Sequence, residues 1–188
     1  MYSSNSPFKI SKFQIVFLKV VTFFLISILS VGSASAAALS NMSDTLSSAK
    51  IGTVSNHSFV FTTPTGIAAG STTLITFPSE FVIPAGLSYT DVDINIGGAY
   101  VGSSTLGSVP SGATVGVARI STTTLLITNG TTPISAGAAV YIRIGTNALN
   151  QSTGANQIVN ANTTGNKTIG VTGGTSTPMF DSGTTTVN

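Results

Sequence analysis

Across residues 45–188 the apolar positions come in short bursts with a period of two. In Asp91-Val92-Asp93-Ile94-Asn95-Ile96 the pleat of an extended strand sends Val92, Ile94 and Ile96 to one face and the polar three to the other. Tyr141-Ile142-Arg143-Ile144 repeats the arrangement, with Ile142 and Ile144 together and Arg143 facing water. Four further runs, Ser58 to Thr62, Thr73 to Phe77, Thr114 to Ile120 and Thr123 to Thr128, are short, β-branched or aromatic, and bounded by Gly, Pro, Asn or Ser. No segment after residue 44 keeps apolar residues at helical spacing for three turns. The pattern predicts an all-β fold, an antiparallel sandwich of about seven to ten short strands over residues 45–188 with one wet face per sheet. The final Thr184-Thr185-Thr186-Val187 reads as the opening of one more strand.

The N-terminus follows another rule. Lys9, Lys12 and Lys19 precede an uncharged run from Val20 to Val31, which ends in Gly32 and then Ala34-Ser35-Ala36. A membrane span needs roughly 20 apolar residues, whereas a secretion signal needs only about 7 to 15 followed by a small-x-small cut site. Residues 1–36 are therefore expected to be a signal helix cut after Ala36, with 37–44 a polar lead-in. Retention of an uncut leader as a membrane anchor is the alternative, helped by the apolar stretch Phe13 to Leu18.

Removing the leader changes the meaning of the composition. Three of the seven basic residues leave, so Lys50, Arg119, Arg143 and Lys167 face five acids, Asp44, Glu80, Asp91, Asp93 and Asp181, for a net charge of −1. Such a chain has no basic patch for nucleic acid or for an anionic membrane. A membrane contact is expected only through an uncut signal segment. The chain has no cysteine, which removes disulfides, thiol catalysis, cysteine metal sites and a lipid-modified cysteine.

A weak internal echo runs through the chain. Ile67-Ala68-Ala69-Gly70 with the strand after it aligns with Ile134-Ser135-Ala136-Gly137 and its strand, and Ile83-Pro84-Ala85-Gly86 repeats the first four positions. The expected structure of the two long copies is a pair of similar hairpins, each with a buried Ile and a turn Gly in a backbone conformation other residues resist. Taken with Ser58-Phe59-Val60-Phe61-Thr62-Thr63-Pro64 and Leu74-Ile75-Thr76-Phe77-Pro78-Ser79-Glu80-Phe81, this stretch resembles Ig-like β-sandwich modules of large bacterial surface proteins and adhesins. The resemblance covers mainly residues 45–145, implies a secreted or cell-surface structural or adhesive module, and carries no catalytic residues.

Candidate chemistry is sparse. His57 is the single histidine and stands in phase with Phe59 and Phe61, which points to partial burial near a sheet end rather than to catalysis. Asp91 and Asp93 fall on one strand face about 7 Å apart, but glycoside hydrolysis needs two carboxyls across a sugar, and the chain has no Trp. Asp91, Asp93 and Asn95 are the calcium candidates as hard oxygen ligands, although three side chains along a straight strand diverge. A solvated strand face is the stronger expectation for them. Six N-x-S/T sequons, at Asn41, Asn56, Asn129, Asn150, Asn162 and Asn166, read as exposed polar loops, and Lys50 and Lys167 as solvated lysines. No enzyme activity and no cofactor are expected. Partners would be other surface proteins or surface glycans, met by the loops after Pro64, Gly97 and Asn147, with a carbohydrate- or calcium-dependent binding module as the alternative.

Overall fold

The computed structural model of the chain describes residues 37–105, 110–150, 153–173 and 181–187. The expected leader and the cut after Ala36 lie outside them. Among the described residues the regular structure is β throughout, apart from one 3-10 turn at Tyr89–Asp91. No helix there is long and apolar enough to cross a membrane.

The strands are β1 (Ser40–Leu46), β2 (Val54–Ser55), β3 (His57–Thr63), β4 (Thr72–Thr76), β5 (Val92–Ile96), β6 (Ala99–Val101) and β7 (Ser103–Thr105). They continue with β8 (Val115–Arg119), β9 (Thr124–Asn129), β10 (Ala138–Ile144), β11 (Ile158–Val159), β12 (Lys167–Gly173) and β13 (Gly183–Val187). One sheet has the order β1-β3-β10-β5-β6, the other β13-β12-β4-β9-β8-β7, and β2 with β11 forms a small ribbon. Strand pairings are antiparallel except β7 with β8. All six predicted strands are present, and β13 follows the terminal Thr-rich run.

Two sheets cover one core because period-two alternation gives each an apolar face. On β3 the inward residues His57, Phe59, Phe61 and Thr63 are all buried. Across from them β10 places Ile144, Ile142 and Val140 in register. The second sheet answers with Ile75, Leu125, Ile169 and Val171, each no more than 1% exposed. Phe77 and Phe81, beyond β4 around the Pro78 turn, close the core with ring centres 5.8 Å apart. Each such side chain contributes roughly 1.5–3 kcal/mol by leaving water.

The internal echo extends to a pseudo-symmetry of the two sheets. In the first half β1 and β3 lie in one sheet, β4 crosses to the other, and β5 and β6 return. In the second half β8 and β9 lie in the second sheet, β10 crosses to the first, and β12 and β13 return. The neighbours correspond pair by pair: β1-β3-β10-β5-β6 matches β8-β9-β4-β12-β13. Each half therefore lends its third strand to the middle of the other half's sheet.

The two copies are consequently not hairpins. β3 and β4 belong to different sheets, as do β9 and β10, so the segments through Ile67 and Ile134 are crossings. A buried Ile within each connector draws the chain over the edge of the core, where a tight two-residue hairpin loop could not reach. Gly70 and Gly137 do adopt the expected left-handed backbone, φ 73° and 76°. Ile83 is fully buried in the third, shorter copy, but Gly86 serves packing: a Cβ there would sit 3.0 Å from Asn156 Oδ1.

β1 starts inside the stretch expected as a polar lead-in at 37–44. Met42, Asp44 and Leu46 turn inward, and from Ser43 on the strand pairs with β3, but an acid at the middle inward position hides the alternation from a hydrophobicity pattern.

Candidate functional site

The outward face of the first sheet gathers residues far apart in sequence. Cross-strand register aligns Val60, Tyr141, Asn95 and Tyr100 in one row and Ser58, Arg143 and Asp93 in the next. Tyr100 and Tyr141 are 43% and 44% exposed. Arg143 crosses above β5 and brings its guanidinium carbon to 5.8 Å from the centre of the Tyr100 ring, a cation–π contact.

The floor falls away beside these groups. The turn joining β5 to β6 is Gly97-Gly98, both with left-handed backbone, φ 60° and 95°. Asn95 Oδ1 accepts the Gly98 N–H at 3.0 Å and pins the turn. With Ala139 on β10, these small residues leave an open depression of about 490 Å³ bordered by both tyrosines and Arg143. A second hollow between Leu46 and Lys167 measures only about 90 Å³. The first is within the roughly 300–1,000 Å³ that holds a small ligand, and the second is not. The chain has no Trp, and the fold nevertheless builds an aromatic platform from two of the three tyrosines after the leader.

The calcium candidates are placed otherwise than expected. Asp91 closes the 3-10 turn instead of lying on the strand, and Asp91 and Asp93 are 1% and 3% exposed rather than solvated. The Asp91 carboxylate accepts N–H bonds from Ser88 at 2.9 Å, Ala155 at 2.6 Å and Asn156 at 2.8 Å, and a 3.1 Å bond from the Asn156 amide. Asp93 Oδ2 accepts from Leu149 at 2.6 Å and Asn150 at 2.9 Å. Asn95 faces its own turn. The three are occupied by N–H donors and do not converge, so they do not fit a calcium site. Burial acts to raise the Asp91 carboxyl, but the N–H groups of Asn156, Ser88 and Ala155 outweigh it and hold it below its ordinary value. Among the described residues no three His, Asp or Glu side chains cluster as metal ligands.

No protein-family model matches the chain, and no curated protein matches it. Among solved structures it is similar to the bacterial hydrophobin BslA, with a TM-score of 0.44 and 12% identity over 83% of this chain and 95% of that one. It is also similar to the collagen-binding domain of a Staphylococcus aureus adhesin, with a TM-score of 0.41 and 10% identity over 78% of this chain and 96% of that one. The likeness is one of fold.

The remaining polar residues are structural. His57 is wholly buried, more than the partial burial expected of it, with Nδ1 2.6 Å from Asp44 Oδ2 and its ring packed among Phe59, Phe77 and Phe81. Asp181, which sequence reasoning passed over, ties the start of the last strand to the first crossing. It accepts from Thr63 Oγ1 at 2.8 Å, Thr65 N at 2.9 Å and Thr65 Oγ1 at 2.6 Å. Burial pushes its carboxyl up, and the hydrogen bonds from Thr65, Thr63 and Ala37 bring it below its ordinary value. Lys167 is not a solvated lysine: it pairs with Glu80 at 2.5 Å and bonds Thr163, and its ammonium holds the Glu80 carboxyl low. Of the sequons, Asn129 is buried and its amide caps the carbonyls of Ile67, Ala68 and Thr132, so it is no exposed loop. Of the loops expected as contact surfaces, those at Gly97 and Asn147 border the tyrosine face, where Asn147 donates to Ser58 Oγ at 3.1 Å. The loop after Pro64 packs instead against residues 134–136.

Proposed function

We propose that this chain is a non-catalytic module of the cell exterior that works by adhesion, with the outward face of β3, β10, β5 and β6 as its contact surface. The observation that carries this reading is that face: two exposed tyrosines and an exposed arginine around a depression, on strands held in one sheet. Exposed aromatic and Arg side chains on a rigid sheet lose little entropy when a partner covers them, and these residue types dominate contact energies. The secretion leader expected at residues 1–36 supplies the address. A near-neutral surface with few cations favours short-range recognition over electrostatic capture, which argues against nucleic acid as partner.

The test is retention. The full-length chain and its Tyr141→Ala/Arg143→Gln variant are applied to envelopes of the cells that make it, and the producing culture is fractionated. Retention of the parent but not the variant, with the chain recovered outside the cytoplasm, is the expected result. Equal retention of both, or recovery only from the cytoplasm, ends the reading.

A further inference from the structure

We propose that the Tyr100–Tyr141–Arg143 face binds an acidic polysaccharide, with a sugar carboxylate on Arg143 and the C–H faces of neighbouring rings against the tyrosines. The assignment rests on the adhesive reading above and names its ligand.

The hydrogen-bonding inventory carries the argument. The Tyr100 and Tyr141 hydroxyls, the Asn95 amide nitrogen and the Arg143 guanidinium have no hydrogen-bond or ion-pair partner among the described residues. Guanidinium and amide nitrogens are donors only, and a phenol donates as readily as it accepts. The nearest carboxylate, Asp93, lies in the floor with one oxygen already taken by two N–H groups. A site so rich in free donors calls for a ligand rich in acceptors, and the planar fork of Arg143 matches a carboxylate in two parallel bonds.

Spacing and shape narrow the class. Tyr141 and Tyr100 share a row with Asn95 between them, so their strands lie about 10 Å apart. Rings of an extended sugar chain can rest on both while the chain runs over the Gly97-Gly98 depression. Aromatic faces attract polarised C–H groups, which a sugar ring presents on its flat side. A neutral glycan would bury the guanidinium without a partner, at a cost. A nucleic-acid duplex, with a phosphate about every 1.7 Å of its axis, needs a track of cations, and this face has one. A peptide could supply the carboxylate and add to the open sheet edge at β6, but Tyr141 and Arg143 stand on β10, an interior strand two places from that edge.

The experiment titrates the full-length chain with polygalacturonate, alginate and hyaluronate, and with the carboxyl-reduced form of each. At least one acid polymer should bind and its reduced form should not. Arg143→Gln should weaken binding by about tenfold or more, the size of one lost charge-assisted contact, and Tyr141→Ala by about threefold or more, the size of one lost aromatic contact. Arg143→Lys should recover only part of the loss, because an ammonium keeps the charge without the fork. Thermal unfolding of each variant separates lost binding from lost folding. Binding of none of the three acids, equal binding of reduced polymers, unchanged affinity in Arg143→Gln, or equally tight capture of polyglutamate overturns the assignment. If that happens while envelope retention still depends on Tyr141, the adhesive reading stands with another ligand. If the parent is not retained on envelopes at all, both fall.

Discussion

Ile67 and Ile134 donate their backbone N–H groups to each other's carbonyl oxygens, at 2.9 and 2.8 Å. The bond from Gly70 N to Gly130 O and the one from Gly137 N to Thr63 O, 2.9 and 2.8 Å, repeat the exchange on either side. The two crossings thus meet as equivalent partners about a local two-fold relation, and the exchanged strands β4 and β10 leave from this point. The bridge is the place where the two halves of the sandwich are locked to one another.

That lock makes one glycine far less replaceable than another. A Cβ on Gly66 would sit 2.5 Å from the Ile134 carbonyl oxygen, on a backbone already at φ 84°, whereas a Cβ on Gly137 meets nothing within 4 Å. Gly137→Ala should lose about 1–2 kcal/mol, the cost of a left-handed residue with a side chain. Gly66→Ala should lose clearly more, since backbone must move. Urea unfolding of both variants checks this, and equal losses would count against the lock.

The buried pair of Asp44 and His57 fastens edge strand β1 to β3. Both side chains are fully covered. Asp44→Ala should cost about 3 kcal/mol, because His57 loses its one polar partner among the described residues inside a ring of phenylalanines. His57→Phe combined with Asp44→Ala should cost less than the sum of the single changes, with a coupling of about 1 kcal/mol or more. Strict additivity in a double-mutant cycle would show that the pair does not interact.

Acid should weaken the fold through Asp91 and Asp181. Hydrogen bonds hold both carboxyls below their ordinary value in the folded chain. A lowered folded value means that each contributes its full stability above the unfolded value, about 3.9, and loses it as pH falls through the folded one. At pH near 7, Asp91→Asn and Asp181→Asn should each cost about 2 kcal/mol or more. Their deficit should shrink below about pH 4 as the parent carboxyls protonate. Melting temperatures recorded from neutral pH to about pH 2 test this, and a constant deficit refutes it.

Face and core should respond oppositely. Tyr141→Ala and Arg143→Gln remove exposed groups that hold nothing in place, so stability should change by no more than about 0.5 kcal/mol. Phe59, 1% exposed and in contact with His57 and Phe77, should cost about 3–5 kcal/mol on truncation to Ala. Comparison of their denaturation midpoints decides whether the tyrosine face is free of a structural role.

Much of the strand list was legible because alternation is local. The pleat turns every second side chain the same way, so the faces of β5 and β10 could be read from Val92, Ile94, Ile142 and Ile144 before any pairing was known. β1 and β12 escaped notice because Asp44 sits where an apolar residue would mark the pattern and because Ile169 and Val171 stand among Thr and Gly. The Ile-x-x-Gly echo was visible too, as was the left-handed glycine it implied.

Only the tertiary structure decided where each strand went. Register across strands is set by which apolar faces close over one another, a long-range balance that no single window contains. It carried β4 and β10 to opposite sheets. It also set Asp91 and Asp93 against the N–H groups of the 149–156 segment, and brought Asp44 to His57. The same register set Tyr100, Tyr141 and Arg143 side by side. By itself the sequence determined six of the strands and their apolar faces, because these follow from local pattern. The proposed contact surface came from pairing, because Tyr100 stands about forty residues before Tyr141 and Arg143 and only the sheet register brings β6 beside β10 across β5.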